Sequence, residues 1–238
     1  MSERLEDLQC DGLKIIQDDQ LYTFSSDSVV LANFVKTKSN DVAVEIGAGS
    51  GVISILLQAK NKLKKIFAFE IQPQLQELCK KNIILNNLSE KIELICDDVK
   101  NFANHLQKEV DVVFSNPPYF KTTNFAQNDV KKIAKEEVCL SCEQLSTTVS
   151  KMLKFGGAFY CCYPAERSCE LISTLHSHNL IVKEILFTEN GKGDVKLVVL
   201  KAVKGGKFGT KVYANLVTND KNGNYLEKLH TKNYKKSL

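Results

Sequence analysis

The fold is decided by the stretch Val42-Ala43-Val44-Glu45-Ile46-Gly47-Ala48-Gly49-Ser50-Gly51. Its first half is short, rich in β-branched residues and closed by Gly47, which predicts a strand, and residues 52–59 then carry apolar side chains at helical spacing. Working outward, residues 65–69 read as a second strand. Residues 73–85 read as a helix with Pro73 in its first turn and Leu75, Leu78, Cys79 and Ile83 on its apolar face. Residues 92–95 and 110–114 give two more strands. A helix over 140–153, expected to stop at Gly156-Gly157, precedes a fifth strand at 158–163 and another helix at 166–175. Strands near 181–187 and 195–200 have no helix between them, so they are expected to pair antiparallel. Upstream, residues 26–35 predict a helix begun by Ser25, Ser26 or Asp27. This alternation specifies an α/β chain with a doubly wound, mainly parallel sheet, helices on both faces and an antiparallel last strand.

The composition, 43% hydrophobic and 25% charged over 238 residues, is that of a globular protein and excludes wholesale disorder, collagen and long coiled coils. No run of eighteen apolar residues exists, and MSERLEDLQCDG at the N-terminus is charged, so a cytoplasmic protein without membrane contact is expected. The eight Cys lie mostly in apolar stretches and are expected to be reduced. Cys139 and Cys142 have C-x-x-C spacing, but no second pair or His follows at ligand spacing, so no metal is expected. Charge divides the chain unevenly. Residues 201–238 hold nine Lys against Asp220 and Glu227, a local +7 that leaves −3 on the first 200 residues. We therefore expect one catalytic domain over 1–200 with a helical lead-in, followed by a short basic extension over 201–238 that meets a polyanion.

Three strand ends carry candidate chemistry. Gly47, Gly49 and Gly51 permit positive φ and close approach of a nucleotide-like ligand, in a G-x-G-x-G spacing shorter than the dinucleotide fingerprint. Glu70 ends the second strand about twenty residues on, where a carboxylate can accept both hydroxyls of a ribose. At the third strand end, Asp97 or Asp98 either binds an adenine amino group or caps a turn. The fourth strand runs into Asn116-Pro117-Pro118-Tyr119. An Asn side-chain oxygen and the Pro117 carbonyl can accept the two hydrogens of a planar amino group, while Tyr119 offers a face for stacking. A polar interruption at 121–137 follows directly, at the sheet edge where such folds build their sites.

On these residues the chain resembles the class I S-adenosylmethionine-dependent methyltransferases, over about 20–200. Within them it is similar to the bacterial tRNA adenine-N6 methyltransferases that modify the adenine beside the anticodon of a valine tRNA. Further matching stretches are Phe24 to Ala32, Phe120 after N-P-P-Y, Leu153 to Gly157 and Lys204-Gly205-Gly206. Ala134-Lys135-Glu136-Glu137 departs from the family pattern by Lys in place of Arg. The resemblance implies a Rossmann-like fold and S-adenosylmethionine as cofactor. It implies Asp27, Glu45, Gly47, Gly49, Gly51, Glu70, Asp98 and Asn116 as cofactor-site residues, with Asn116, Pro117 and Tyr119 at the transfer centre. Tyr119, Phe120, Lys204, Lys207 and Lys211 are expected to contact tRNA, and a monomer is the expected state. N-P-P-Y also serves methyltransferases of DNA adenine, rRNA guanine and protein glutamine, and a non-catalytic RNA-binding module stays open. None of His105, His176, His178 or His230 lies in a motif, which agrees with a transfer needing no strong base.

Overall fold

The parallel strands are mainly apolar because both faces of the sheet are covered. The computed structural model describes residues 3–21, 26–117 and 140–220. Strands β1 (Glu3–Asp7) and β2 (Lys14–Asp18) form an antiparallel hairpin, followed by helix α1 (Ser26–Phe34). Then come β3 (Val42–Ile46), α2 (Val52–Asn61), β4 (Lys65–Phe69), α3 (Pro73–Leu85), β5 (Ile92–Ile95), a 3-10 turn (Val99–Asn104) and β6 (Val110–Ser115). Helix α4 (Cys142–Met152), β7 (Leu153–Pro164), α5 (Ser168–Ser177), β8 (Leu180–Glu189), β9 (Val195–Lys204), β10 (Lys211–Val212) and β11 (Leu216–Val217) complete the described chain.

The main sheet has the order β10-β8-β9-β7-β6-β3-β4-β5, with β11 also on β8. Strands β5, β4, β3, β6 and β7 are parallel, and β9 is inserted antiparallel between β7 and β8. This is the expected doubly wound topology. Along β6, Val112 and Phe114 enter the core beneath α1, α2 and α3, whereas Val113 enters the core beneath α4 and α5. On α3 the predicted face of Leu75, Leu78, Cys79 and Ile83 is buried, together with Asn82.

Two expectations need correction. The lead-in is not only helical, since the β1–β2 hairpin precedes α1 and lies against α3. And α4 does not run to Gly156-Gly157. Ser141 and Gln144 close its start as a capping box, it ends at Met152, and the next residue already belongs to β7. Opposite Asp111, β7 bulges between the Val110–Leu153 and Val112–Ala158 pairs, and the two glycines sit in that bulge. Gly156 takes φ 79°, and a Cβ on Gly157 would come within 2.9 Å of the Lys154 carbonyl, so these glycines serve a bulge and not a helix end.

Strand β9 crosses residue 200 without interruption, and β10 and β11 add to β8, so the first part of the basic extension is part of the sheet. No helix among the described residues is long and apolar enough to cross a membrane.

Candidate active site

The carboxyl ends of β3, β4, β5 and β6 are stitched together by main-chain hydrogen bonds. Gly47 and Ala48 N–H both donate to the Phe69 carbonyl at 2.9 Å, Glu70 N–H donates to the Ile95 carbonyl at 3.1 Å, and Ser115 Oγ donates to the Ile46 carbonyl at 2.9 Å. Glu70, Asp97, Asp98 and Asn116 therefore emerge along one edge, around the glycine turn between β3 and α2.

Gly47 and Gly49 have φ of 73° and 55°, and a Cβ built on either meets nothing within 4 Å. The turn is thus open on its outer side, a surface where a ligand can lie against bare backbone. Gly51 is confined instead, because a Cβ there would stand 2.8 Å from Cys79 Sγ. The N–H groups of Gly47, Ala48, Gly49 and Gly51 are already committed. Gly49 N–H donates to Glu70 Oε2 at 2.8 Å and Gly51 N–H to the Ala48 carbonyl at 2.8 Å, in addition to the Gly47 and Ala48 bonds. A pyrophosphate site needs such groups aimed at the ligand. This turn presents space and carboxylates, which suits a nucleoside with a positive group better than an anion.

Glu70 is only 4% exposed, and Gln72 N–H also donates to its Oε1 at 2.9 Å. Burial raises its pKa above the ordinary value, against the hydrogen bonds from Gln72, Gly49 and Ile71 that lower it. These three main-chain donors fix the orientation of the carboxylate and leave it capacity to accept from a ligand hydroxyl. Glu45 lies on β3 beneath the turn. Ser54 Oγ of α2 donates to its Oε2, its Oε1 has no hydrogen-bond partner, and burial pushes its pKa up to about 8, helped by the neighbouring Glu70 charge. This side chain supports the turn from inside the core rather than lining its open side.

At the end of β5, Asp98 caps the 3-10 turn by accepting Lys100 N–H at 2.9 Å. Asp97 accepts from Asn101 Nδ2 at 2.9 Å and lies 2.8 Å from His105 Nε2, and these bonds, His105 first, lower its pKa. His105 also packs edge-on against Phe69 with ring centroids 5.8 Å apart. Sequence reading gave His105 no place; its spacing of eight residues from Asp97, across two turns of 3-10 helix, was the available signal.

Asn116 Nδ2 donates to Ser28 Oγ at 3.1 Å, which brings the first turn of α1 to the end of β6. Asp27, next to Ser28, accepts from Ser26 Oγ at 3.3 Å. Ser28 was not singled out in the sequence. Neither was Asn82, whose fully buried Nδ2 donates to the Ser50 carbonyl in the glycine turn and to the Ile16 carbonyl of β2, both at 3.0 Å. Pro117 is the last described residue of its segment, so Tyr119, Phe120, Cys139 and Ala134-Lys135-Glu136-Glu137 lie outside the described residues. Cys142 is buried, with Sγ 3.0 Å from Tyr163 Oη.

Asp27, Glu45, Gly47, Gly49, Gly51, Glu70, Asp98, Asn116 and Pro117 are thus brought to one sheet edge or directly beneath it. Lys204, Lys207 and Lys211 are not brought to them. Strand β9 runs antiparallel, so its end lies at the amino edge of the sheet, where Lys204 Nζ donates to the Leu153 carbonyl at 2.6 Å and to Glu109 at 3.2 Å. The Lys207 carbonyl accepts from Lys183 nearby, and Lys211 pairs with Glu184 in the middle of β8.

The profile of the TRM5/TYW2 methyltransferase domain matches residues 22–149. A tRNA1(Val) (adenine(37)-N6)-methyltransferase of Shewanella halifaxensis is 28% identical over 213 residues, 84% of this chain and 86% of that one. A protein of Methanocaldococcus jannaschii whose name assigns it to protein N5-glutamine methylation is 38% identical over 117 residues, 49% of this chain and 56% of that one. Among solved structures, a predicted O-methyltransferase from Agrobacterium tumefaciens superimposes with a TM-score of 0.65 at 17% identity, over 85% of this chain and 93% of that one.

Proposed function

The chain belongs to the TRM5/TYW2 methyltransferase domain family, and from that premise we propose that it methylates the exocyclic N6 amine of an adenine in tRNA, the adenine 3′ of the anticodon (position 37) of valine tRNA. The observation that carries the reading is the convergence, at one sheet edge, of an open glycine turn, the pre-oriented Glu70 carboxylate and the anchored Asn116 amide. The relative from Shewanella halifaxensis, similar over most of both chains, supports the choice of acceptor.

S-adenosylmethionine, when bound, supplies an electrophilic methyl group on a sulfonium. The residues present fit it: Glu70 would receive a ribose hydroxyl, Gly47 and Gly49 leave room along the backbone, and the Asp97-Asp98 end of β5 would meet the adenine. Asp27 adds negative charge at the opposite side, and Glu45 and Gly51 hold the turn from within. The amine is a weak nucleophile because its lone pair is delocalised into the ring. Asn116 Oδ1 and the Pro117 carbonyl accept its two hydrogens, which favours the pyramidal nitrogen and disperses the positive charge growing on it. Tyr119 and Phe120 are assigned the stacking of a base splayed from its loop.

The catalytic domain is assigned to residues 1–220, because β9 runs through residue 200 and β10 and β11 add to the sheet, and the tRNA-contacting extension to 221–238, acting in the cytoplasm as a monomer. Labelled methyl from S-adenosylmethionine, offered unmodified tRNA, total RNA, DNA and protein, is expected to appear as N6-methyladenosine in tRNA. Asn116→Ala is expected to abolish that transfer and leave cofactor affinity largely intact; near-normal transfer would sink the assigned role. The relative from Methanocaldococcus jannaschii favours a second reading, a protein glutamine acceptor held by the same amide chemistry. Label in protein alone would establish that reading instead.

A further inference from the structure

We propose that Ser28 is the positioning residue of the transfer site, the group that ties the Asn116 amide to α1. The inference rests on the reading of Asn116 as the acceptor of the amine hydrogens, and deepens it. An Asn amide is nearly symmetric in shape, and rotation by half a turn about its last torsion exchanges an oxygen acceptor for an NH2 donor. With the NH2 outward, two donors would confront each other and the amine could not be held. Ser28 Oγ accepts the Asn116 Nδ2 hydrogen at 3.1 Å, which anchors the amide to α1 with its nitrogen on that side and Oδ1 facing away from it.

Both ends of this bond are carried by packed elements. Ser28 is 4% exposed, and every residue of α1 from Ser28 to Phe34 is buried. On the other side, Ser115 fixes the end of β6 to the Ile46 carbonyl at 2.9 Å, one residue before the glycine turn. The hydrogen bond therefore ties the amide to the same framework that carries the cofactor turn. The helical register adds a constraint. Asp27 and Ser28 are adjacent in the first turn, so the residue assigned to the cofactor and the residue that orients the amide move together.

The test uses the full chain, labelled S-adenosylmethionine and unmodified bulk tRNA. Ser28→Ala is expected to lower kcat roughly 10- to 100-fold, the scale of a misplaced catalytic group, with KM and Kd for S-adenosylmethionine changed less than about twofold. Ser28→Thr, which keeps the hydroxyl, is expected to recover most of the lost kcat at a temperature where circular dichroism shows both variants folded. A merely structural role would move melting temperature and both kinetic constants together, with no rescue, and would overturn the proposal. So would a Ser28→Ala kcat within twofold of the unmodified chain while Asn116→Ala is inactive. Near-normal transfer by Asn116→Ala would remove the parent assignment and this one with it. Label in protein rather than tRNA would change the acceptor, and the same kcat comparison on that acceptor then decides the role of Ser28.

Discussion

At the scale of single residues, Glu45 on β3 and Glu70 just after β4 are two carboxylates with nearly equal burial and unequal satisfaction. Both oxygens of Glu70 accept main-chain N–H groups, whereas Glu45 has one oxygen bonded to Ser54 and one without a partner. An unpaired buried carboxylate keeps its proton rather than its charge. Its folded pKa of about 8 stands above the ordinary 4.5, so between those values the folded chain binds more protons than the unfolded one. Stability contributed by this group must therefore fall as pH rises from about 4.5 to about 8, by an amount on the order of a few kcal/mol. Glu45→Gln is expected to flatten that decline, since the amide has no proton to lose. Urea unfolding at pH 5, 6, 7 and 8 measures it, and an unchanged slope would mean that Glu45 is ionised in the folded chain.

At the scale of elements, β8 and its neighbours are joined by a second carboxylate with the opposite titration. Glu184 accepts from Lys36 of the α1–β3 connection at 2.9 Å, from Lys201 of β9 at 3.2 Å and from Tyr213, beside β10, at 2.7 Å. Burial opposes its ionisation, but those three bonds outweigh it and hold its pKa at about 2. The unfolded chain thus binds more protons between about 2 and 4.5, and the stabilisation is complete above 4.5 and lost as pH falls through that window. Glu184→Gln is expected to cost about 1–3 kcal/mol at pH 7 and almost nothing near pH 2, read by thermal melts at the two pH values. The parallel strands and α3 were legible because burial on both faces writes continuous apolar runs and one buried stripe into the chain. The hairpin was not, because ERLED and KIIQD are short and one is mostly charged. Its anchorage lies on another element, where Asn82 of α3 and Asn86, the cap that follows it, bond both the N–H and the carbonyl of Ile16 and Lys14, respectively. At the site, Gly47, Glu70 and Asn116 could be read from their places at strand ends. Ser28 could not, because its partner is 88 residues away and only the packing of α1 reveals it.

At the scale of the whole molecule, the path of the chain after β9 decides what its positive charge can touch. Strand β9 ends at the amino edge, opposite Asn116, and leaves Lys204 and Lys207 there. The chain then climbs the outside of β8, through Lys211–Val212 beside Glu184 and Leu216–Val217 beside Thr188, until Thr218 N–H donates to the Glu189 carbonyl at 3.0 Å. Residue 220 therefore stands at the carboxyl edge, with β8, β9 and β7 between it and β6, a lateral distance of about 19 Å at ordinary strand spacing. From that point residues 221–238 carry five Lys against Glu227. The extension that meets tRNA in the proposed function should thus be divided at 220 and not at 200, where a cut would sever β9 within the sheet. Removal of 221–238 is expected to weaken tRNA binding and to lower the slope of log affinity against log salt by about 3–4, the counterion release of five phosphate contacts. Cofactor affinity and melting temperature should hold, because β10 and β11 remain. Lys204→Glu with Lys207→Glu at the opposite edge serves as the contrast, with tRNA affinity expected to change less than about threefold. Binding that follows the amino-edge lysines and ignores the truncation would put the RNA on the other side of the sheet and refute this path.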